Sequence, residues 1–168
     1  MNHLPSCSRI LSLRQRTRGF TLIEIMIVVV IIGVLSAIAI PLYGEYVLRG
    51  RIPDATSNLS ALAVKMEQGF QDTRTYNLKD STTKCLIDVA TTGDITKLTN
   101  TNKSFDFSCV AAPATATTPD TFTITAKGKA NTMPGFEFTI DQAGAKTSKG
   151  KTGWTAGTNC WITNKGGC

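Results

Sequence analysis

Between Phe20 and Ile40 the chain runs for 21 residues with a single charged side chain, Glu24, and any fold must accommodate that run. As a helix rising about 1.5 Å per residue it would reach roughly 32 Å, close to the hydrocarbon thickness of a bilayer. A carboxylate in such a segment costs about 2.5–3.5 kcal/mol at mid-membrane, and less near the end, where Glu24 sits. Arg9, Arg14, Arg16 and Arg18 precede the run with no acid among them, whereas Arg49 and Arg51 follow it, with Asp54 close behind. This imbalance predicts a cytoplasmic N-terminus and an exported remainder. From Thr73 to Cys168 the chain is rich in Thr, Asn, Gly and Lys. One membrane segment followed by one modest, strand-rich domain is the expected organisation.

The net charge of +6 suggests affinity for nucleic acid, but part of it belongs to the stretch before Phe20. Without the four leading arginines, 14 basic side chains face 12 acidic ones, so a phosphate-binding reading loses most of its compositional support. The one histidine, His3, lies in the same stretch. A product lacking it could run neither Ser–His nor Cys–His chemistry and could offer no imidazole to a metal. No catalytic residue, cofactor or metal site is expected, and the chain does not read as an enzyme.

Three ordinary readings compete for the apolar run. A secretory signal could end at Ala37-Ile38-Ala39, which fits a small-x-small cleavage pattern. A permanent signal anchor is the second. A lipoprotein signal ending at Cys7 fails, because no hydrophobic stretch precedes that cysteine. Neither a signal nor an anchor gains anything from Glu24. A subunit cut between Gly19 and Phe20 does, because the cut creates an α-amino group one helical turn from the carboxylate. A neighbouring copy's ammonium could then neutralise Glu24 inside an apolar assembly, where an unpaired charge is heavily penalised.

The stretch Arg18-Gly19-Phe20-Thr21-Leu22-Ile23-Glu24-Ile25-Met26-Ile27-Val28-Val29-Val30, continuing through Ile40-Pro41-Leu42-Tyr43, resembles the class III signal of type IV pilins, and within them the type IVa prepilins. Ala55 to Tyr76 further resembles PilE-type pilins. The 19-residue leader is long for the type IVa branch, a departure that leaves the mature chain unchanged. The resemblance implies that prepilin peptidase cuts after Gly19 and that Phe20 becomes an N-methylated first residue. It implies that Glu24 pairs with a neighbour's amino terminus, and that Pro41 marks where the helix unwinds in filaments. The implied partners are other pilin copies, the peptidase/methyltransferase, an inner-membrane assembly platform and, before assembly, the membrane itself.

The expected fold is α+β, a long N-terminal helix packed on a small antiparallel sheet. Residues 1–19 form the leader, 20–44 the hydrophobic helix and 45–168 the globular head. In the head, an amphipathic helix over 45–72 precedes a sheet and a disulfide-closed C-terminal loop over 73–168. Ile52, Ala55, Leu59, Leu62, Met66 and Phe70 recur in steps of three and four, one face of a helix. Pro41 and Pro53 each remove a helix hydrogen bond, which predicts a bend or local melting. Strands are expected at Cys85–Val89, Phe105–Val110, Phe122–Lys127 and Phe136–Asp141, the last two alternating apolar and polar side chains. Ala112–Asp120 reads as a loop, Asp141–Gly144 as a turn and Ala145–Gly153 as a further polar loop.

Cys7 would stay with the leader, while Cys85, Cys109, Cys160 and Cys168 would be exported, where disulfides persist. These four admit three pairings. Cys85–Cys109 would link adjacent strand candidates and Cys160–Cys168 would tie back the C-terminus; the pilin resemblance supports the second pair. A zinc site lacks its CxxC knuckles. Trp154 and Trp161 stand among Lys146, Lys149, Lys151 and Lys165. Such a mixture can stack on and neutralise nucleic acid. The structural reading is preferred, with the tryptophans anchoring the loop and the lysines solvating its outer face.

The expected role is therefore a structural subunit of a type IV pilus, serving adhesion, twitching motility or DNA uptake. It would be a single-pass inner-membrane precursor before joining an extracellular fibre. The alternatives are a type II secretion pseudopilin, or a minor pilin whose loop binds DNA or a surface.

Overall fold

Helix α1, Leu22–Thr73, carries the apolar run and the amphipathic stretch in one continuous element of 52 residues. The computed structural model describes residues 19–88 and 93–168. Residues 1–18, including His3 and Cys7, and Val89 at the end of one strand candidate lie outside the described residues. The helix runs unbroken through Pro41 and Pro53, so of the expected bend or local melting, the melting does not occur in the single chain. A proline deletes one bond of the ladder, whereas helix formation is cooperative over the turns on either side. Around Pro53 the hydroxyl of Ser57 also donates to the proline carbonyl at 2.7 Å, and Ile52 and Ala55 are anchored in the core.

The chain divides into two compact units, Met1–Leu42 and Tyr43–Cys168. In the first, the 19 residues Leu22–Ile40 are long and apolar enough to cross a membrane, and none of that stretch is buried by protein. Ile23, Met26, Val30, Leu35 and Ile38 all stand exposed.

In the second unit, Ile52, Ala55, Leu59, Leu62 and Met66 of α1 are all buried, the stripe anticipated from their spacing. They share a core with Phe105, Phe122, Ile124, Phe136, Phe138 and Ile140. The sheet is an antiparallel meander in the order β1 (Phe105–Ala112), β2 (Thr121–Gly128), β3 (Glu137–Asp141), β4 (Lys146–Lys149) and β5 (Gly157–Thr158). Strict alternation of buried and exposed side chains along β1 follows from the two-residue period of a strand with one face against the helix. The result is an α+β unit in which one face of α1 packs on one face of an antiparallel sheet. Each large apolar side chain withdrawn from water contributes about 1.5–3 kcal/mol before entropy is counted.

The outer face of the sheet is ordered by chemistry. Register aligns Asp106, Lys127, Glu137 and Lys149 across four strands, so that charges alternate in sign. The next row aligns Ser108, Thr125, Thr139, Thr147 and Thr158 across all five, with the hydroxyls of Thr139 and Thr147 2.6 Å apart. Opposite charges and hydroxyl pairs placed directly across strands support the pairing.

Further expectations need correction. Cys85–Val89 is no strand over its described part: Cys85 makes an isolated bridge to Asn77, and the Asp88 amide turns back to the Cys85 carbonyl at 2.8 Å. The polar loop expected at Ala145–Gly153 contains β4, whose inward Ser148 is buried. Its hydroxyl donates to the Cys160 carbonyl at 3.1 Å and accepts from the Ile162 amide at 3.0 Å, a bonding pattern invisible in a Lys-Thr-Ser-Lys sequence. Helix α2, Asp94–Thr101, was not anticipated, since its threonines favour other conformations. Buried Ile95 holds it, and the Lys129 ammonium donates to the Thr99 and Asn102 carbonyls at 3.1 and 2.7 Å near its C-terminus. The loop expected from Ala112 begins one residue later, at Pro113, and runs to Asp120, because Ala112 still pairs with Thr121 at the end of β1. At Asp141–Gly144 the turn forms, with the Asp141 carboxylate accepting from the Ala143 and Ala145 amides and Gly144 at φ 72°.

Tyr76 closes the far end of the core, stacked on Phe70 at 4.5 Å and edge-on to Phe122 at 4.8 Å. Burial, aided by its 2.9 Å hydrogen bond to Glu67, pushes its phenol up to about 12. The folded state thus holds this proton more tightly than the unfolded chain. The corresponding stability is intact below about pH 10 and is lost as the pH rises toward about 12. Tyr76→Phe is expected to remove that late step from the tyrosinate absorbance titration. Phe138→Ala should cost about 3–5 kcal/mol in denaturant unfolding of the full chain in detergent, by opening a cavity between sheet and helix.

Candidate functional site

The N-terminal site starts at Gly19 and Phe20, both exposed. Thr21 precedes the first helical residue, and its side-chain oxygen accepts from the Glu24 amide at 3.3 Å. Glu24 reaches back toward the Thr21 amide at 3.5 Å. This Thr-x-x-Glu arrangement is a capping box, a local role for Glu24 that the spacing of Thr21 and Glu24 also signals in the sequence. It holds the carboxylate toward the Thr21 amide, one residue past Phe20. Among the described residues no cation forms an ion pair with it. Pro41 lies within α1, far along the chain from Glu24.

The C-terminal site is built in the second unit. Cys85 joins Cys109 and Cys160 joins Cys168, with Cα separations of 5.9 and 6.2 Å. The first disulfide is buried and ties the segment before α2 to β1. The second closes a terminal loop packed tightly on β5. A side chain on Gly157 would meet the Cys160 carbonyl and the Ser148 hydroxyl at 2.6 Å and the Cys168 sulfur at 3.0 Å. Trp154 is buried edge-on against Phe136 at 4.9 Å. Trp161 is half-buried, its indole N–H donating to the Thr139 carbonyl at 2.9 Å, and the Lys146 ammonium lies 4.6 Å from its ring centre. Both tryptophans therefore anchor the loop. Only Trp161 keeps an accessible edge, in a cleft of about 380 Å³ whose lining includes Arg49, Pro53, Lys146 and Thr163.

From Gln142 to Cys168 the chain contains no Asp or Glu, while Lys146, Lys149, Lys151 and Lys165 all lie within it. The acids that temper this surface come from elsewhere. Glu137 is the cross-strand neighbour of Lys149. Glu45 of α1 pairs with Lys165 and lies 4.0 Å from Arg49. The hydrogen bond and charge of Lys165 hold the Glu45 carboxyl below the usual range, with Arg49 and Lys151 adding to the effect. Glu45 was not singled out from the sequence. Its partner is 120 positions away by residue number, and nothing local signals the contact.

Two regions of the chain match known families. The prokaryotic N-terminal methylation motif matches residues 14–40. The family described as type IV minor pilin ComP, DNA uptake sequence receptor, matches residues 41–135, more than half of the chain. The chain belongs to this family of type IV pilins. Similar curated proteins include the type IV major fimbrial protein FimA of Dichelobacter nodosus, 43% identical over 60 residues, or 36% of this chain and 38% of that protein. A fimbrial protein of the same organism matches over the same shares. FimA of strain VCS1703A is 42% identical over 60 residues, 36% of this chain and 37% of its own. The chain thus spans under two fifths of the curated relatives it matches. No solved structure matches it. The cationic stretch Gln142–Cys168 lies beyond both matched regions.

Because the folded Glu45 carboxyl titrates low, its contact with Lys165 is present above the ordinary glutamate range and is lost as the pH falls through the depressed value. An NMR carboxyl titration of the full chain in detergent should place Glu45 below 4.5, the unperturbed value, and Lys165→Ala should move it back upward.

Proposed function

We propose that this chain is a minor subunit of a type IV pilus that presents a DNA-binding surface outside the cell. The observation that carries this reading is the match to the ComP family over residues 41–135. It raises above the plain fibre-subunit role a reading that composition alone ranked lower. The acid-free stretch Gln142–Cys168, with its four lysines, supports contact with phosphates. With Trp154 buried and Trp161 engaged, stacking on bases would contribute little, so strand positioning by lysine is the main interaction.

In this reading the subunit waits in the inner membrane with Leu22–Ile40 across the bilayer and its head in the periplasm. Prepilin peptidase removes residues 1–19 and Phe20 is N-methylated. The new ammonium of one subunit and Glu24 of its neighbour then neutralise each other in the fibre core, and Glu24 exchanges its capping contact for an ion pair. The assembly platform draws the helix from lipid into a bundle of other pilin helices. Both surroundings are apolar, so the net gain is small although the gross burial is large.

Two measurements test this. Mass spectrometry of sheared fibres should find a low-abundance chain beginning at N-methyl-Phe20; a chain beginning at Ile40 would identify an ordinary secreted protein and defeat the proposal. Filter retention of duplex DNA by the full chain in detergent should weaken steeply with salt, by about 0.9 log units per log unit of salt for each phosphate contact. Joint replacement of Lys146, Lys149, Lys151 and Lys165 by Ala should abolish most of it. Retention equal to that of the unsubstituted chain would exclude this surface.

A further inference from the structure

Tyr43 and Tyr46 of α1 are 69% and 77% exposed, although they are large aromatic side chains in a unit with a well-filled core. Their three-residue spacing puts them on neighbouring positions of one helix face. One turn further on stands Arg49, and between them lies Glu45. Glu45 gathers Lys165 and Arg49 around a single negative charge, and Lys151 lies near enough for its charge to act on the same carboxylate. Three cations against one acid leave a local excess of positive charge. The Arg49 and Lys165 side chains remain 48% and 49% exposed, with donors to spare. Two bare phenols at the same level of the helix as an undercompensated cation cluster have no evident use in water. Tyrosine is enriched where an apolar medium meets a polar one, since its ring and hydroxyl suit different sides of that boundary.

The position along the chain says which boundary. The apolar segment ends at Ile40, and Tyr43, Glu45 and Tyr46 follow within six residues. Glu45, five residues on, can be no more than about 18 Å from Ile40 even if the chain were fully extended. As helix, the separation is about 7–8 Å. The headgroup layer on each side of a hydrocarbon core is itself about 5–8 Å deep. When Leu22–Ile40 fills the core, Tyr43 falls in that layer, about 4–5 Å past Ile40 along the helix, and Glu45 and Tyr46 reach its outer edge at about 7–9 Å.

We propose that Tyr43, Tyr46, Arg49, Lys151 and Lys165 form a collar that binds the anionic phospholipid headgroups of the membrane in which the subunit waits. The inference rests on the reading that Leu22–Ile40 spans that membrane. The collar sets the depth of the apolar segment and adds a headgroup contact that must be broken when the subunit is drawn into a fibre. Lipid phosphates and DNA phosphates share the chemistry that these cations recognise. The exposed tyrosines beside the end of an apolar segment favour the lipid, because duplex DNA offers no apolar layer for them to enter.

The test uses the full chain reconstituted in vesicles of phosphatidylcholine alone or with a third phosphatidylglycerol. A membrane-impermeant amine reagent then reads the labelling rates of Lys151 and Lys165, with exposed Lys79 and Lys97 as internal controls. Labelling of the collar lysines should be slowed about five-fold or more by the anionic lipid, the protection falling at high salt, with the controls unchanged. Tyr43→Ser with Tyr46→Ser should remove most of this protection while leaving DNA retention in detergent intact. Equal labelling in both vesicles, or equal slowing of the controls, overturns the collar. So does protection of Lys151 and Lys165 by added DNA in detergent without protection by lipid, which would assign these cations to nucleic acid alone. Carbonate washing separates the two failures. A chain that resists extraction but shows no protection has lost only the collar, whereas an extracted chain has lost the spanning segment as well.

Discussion

Burial of the α1 stripe formed by Ile52, Ala55, Leu59, Leu62 and Met66 against the inward side chains of the sheet is the contact on which the second unit depends. Neither element is stable without the other. A meander with Phe122, Phe136 and Phe138 on one face would expose that face to water, and a helix with this stripe would expose its own. Each strand is only two to eight residues long, and β4 and β5 contribute few apolar side chains of their own. The sheet's last strands are held instead by bonds such as those of the Ser148 hydroxyl and by the disulfide between Cys160 and Cys168. This division of labour explains why the end of the chain can be rich in lysine and glycine and still be ordered.

The same helix serves two solvents. Beyond Glu24 and up to Ile40 it is apolar all round, long enough to cross a membrane. From Ile52 onward it is apolar on one face only. Between these stretches lie Tyr43, Glu45, Tyr46 and Arg49, which belong fully to neither pattern. Their exposure and their link to Lys165 are consistent with a zone of transition between an apolar and an aqueous surrounding. At the other end of the run, Thr21 and Glu24 cap the first turn of the helix. Glu24 therefore has a local role in the single chain, where it caps the helix and carries no ion pair among the described residues.

The cationic surface of the terminal segment is held in place as much by what is missing as by what is present. Absence of acid from Gln142 to Cys168 leaves neutralisation to Glu137 and Glu45, which come from β3 and α1. Trp154 and Trp161 secure the backbone that carries the lysines. The tryptophans could be seen in the sequence as anchors because a lysine-rich loop needs apolar ballast. Which of them kept an exposed edge could not be seen, since that depends on the distance of each from Phe136 and Thr139.

By itself the sequence determined the features whose cause is local or periodic. The apolar run, the helical stripe, the alternation along β2 and β3 and the α+β class follow from spacing, because burial of one face imposes a period on the residues that form it, and the Asp141–Gly144 turn follows from its Asp and Gly. Tertiary structure decided the rest. Helix α2 exists because Ile95 finds the core and Lys129 reaches its last carbonyls. Strand β4 exists because Ser148 meets Cys160 and Ile162. Of three possible cysteine pairings, the folded chain brings together Cys85 with Cys109 and Cys160 with Cys168. Glu45 became part of a cation cluster because folding brought Lys165 to it. Each of these depends on residues far apart in the chain, and the free energy that selects them appears only when the core has already brought them together.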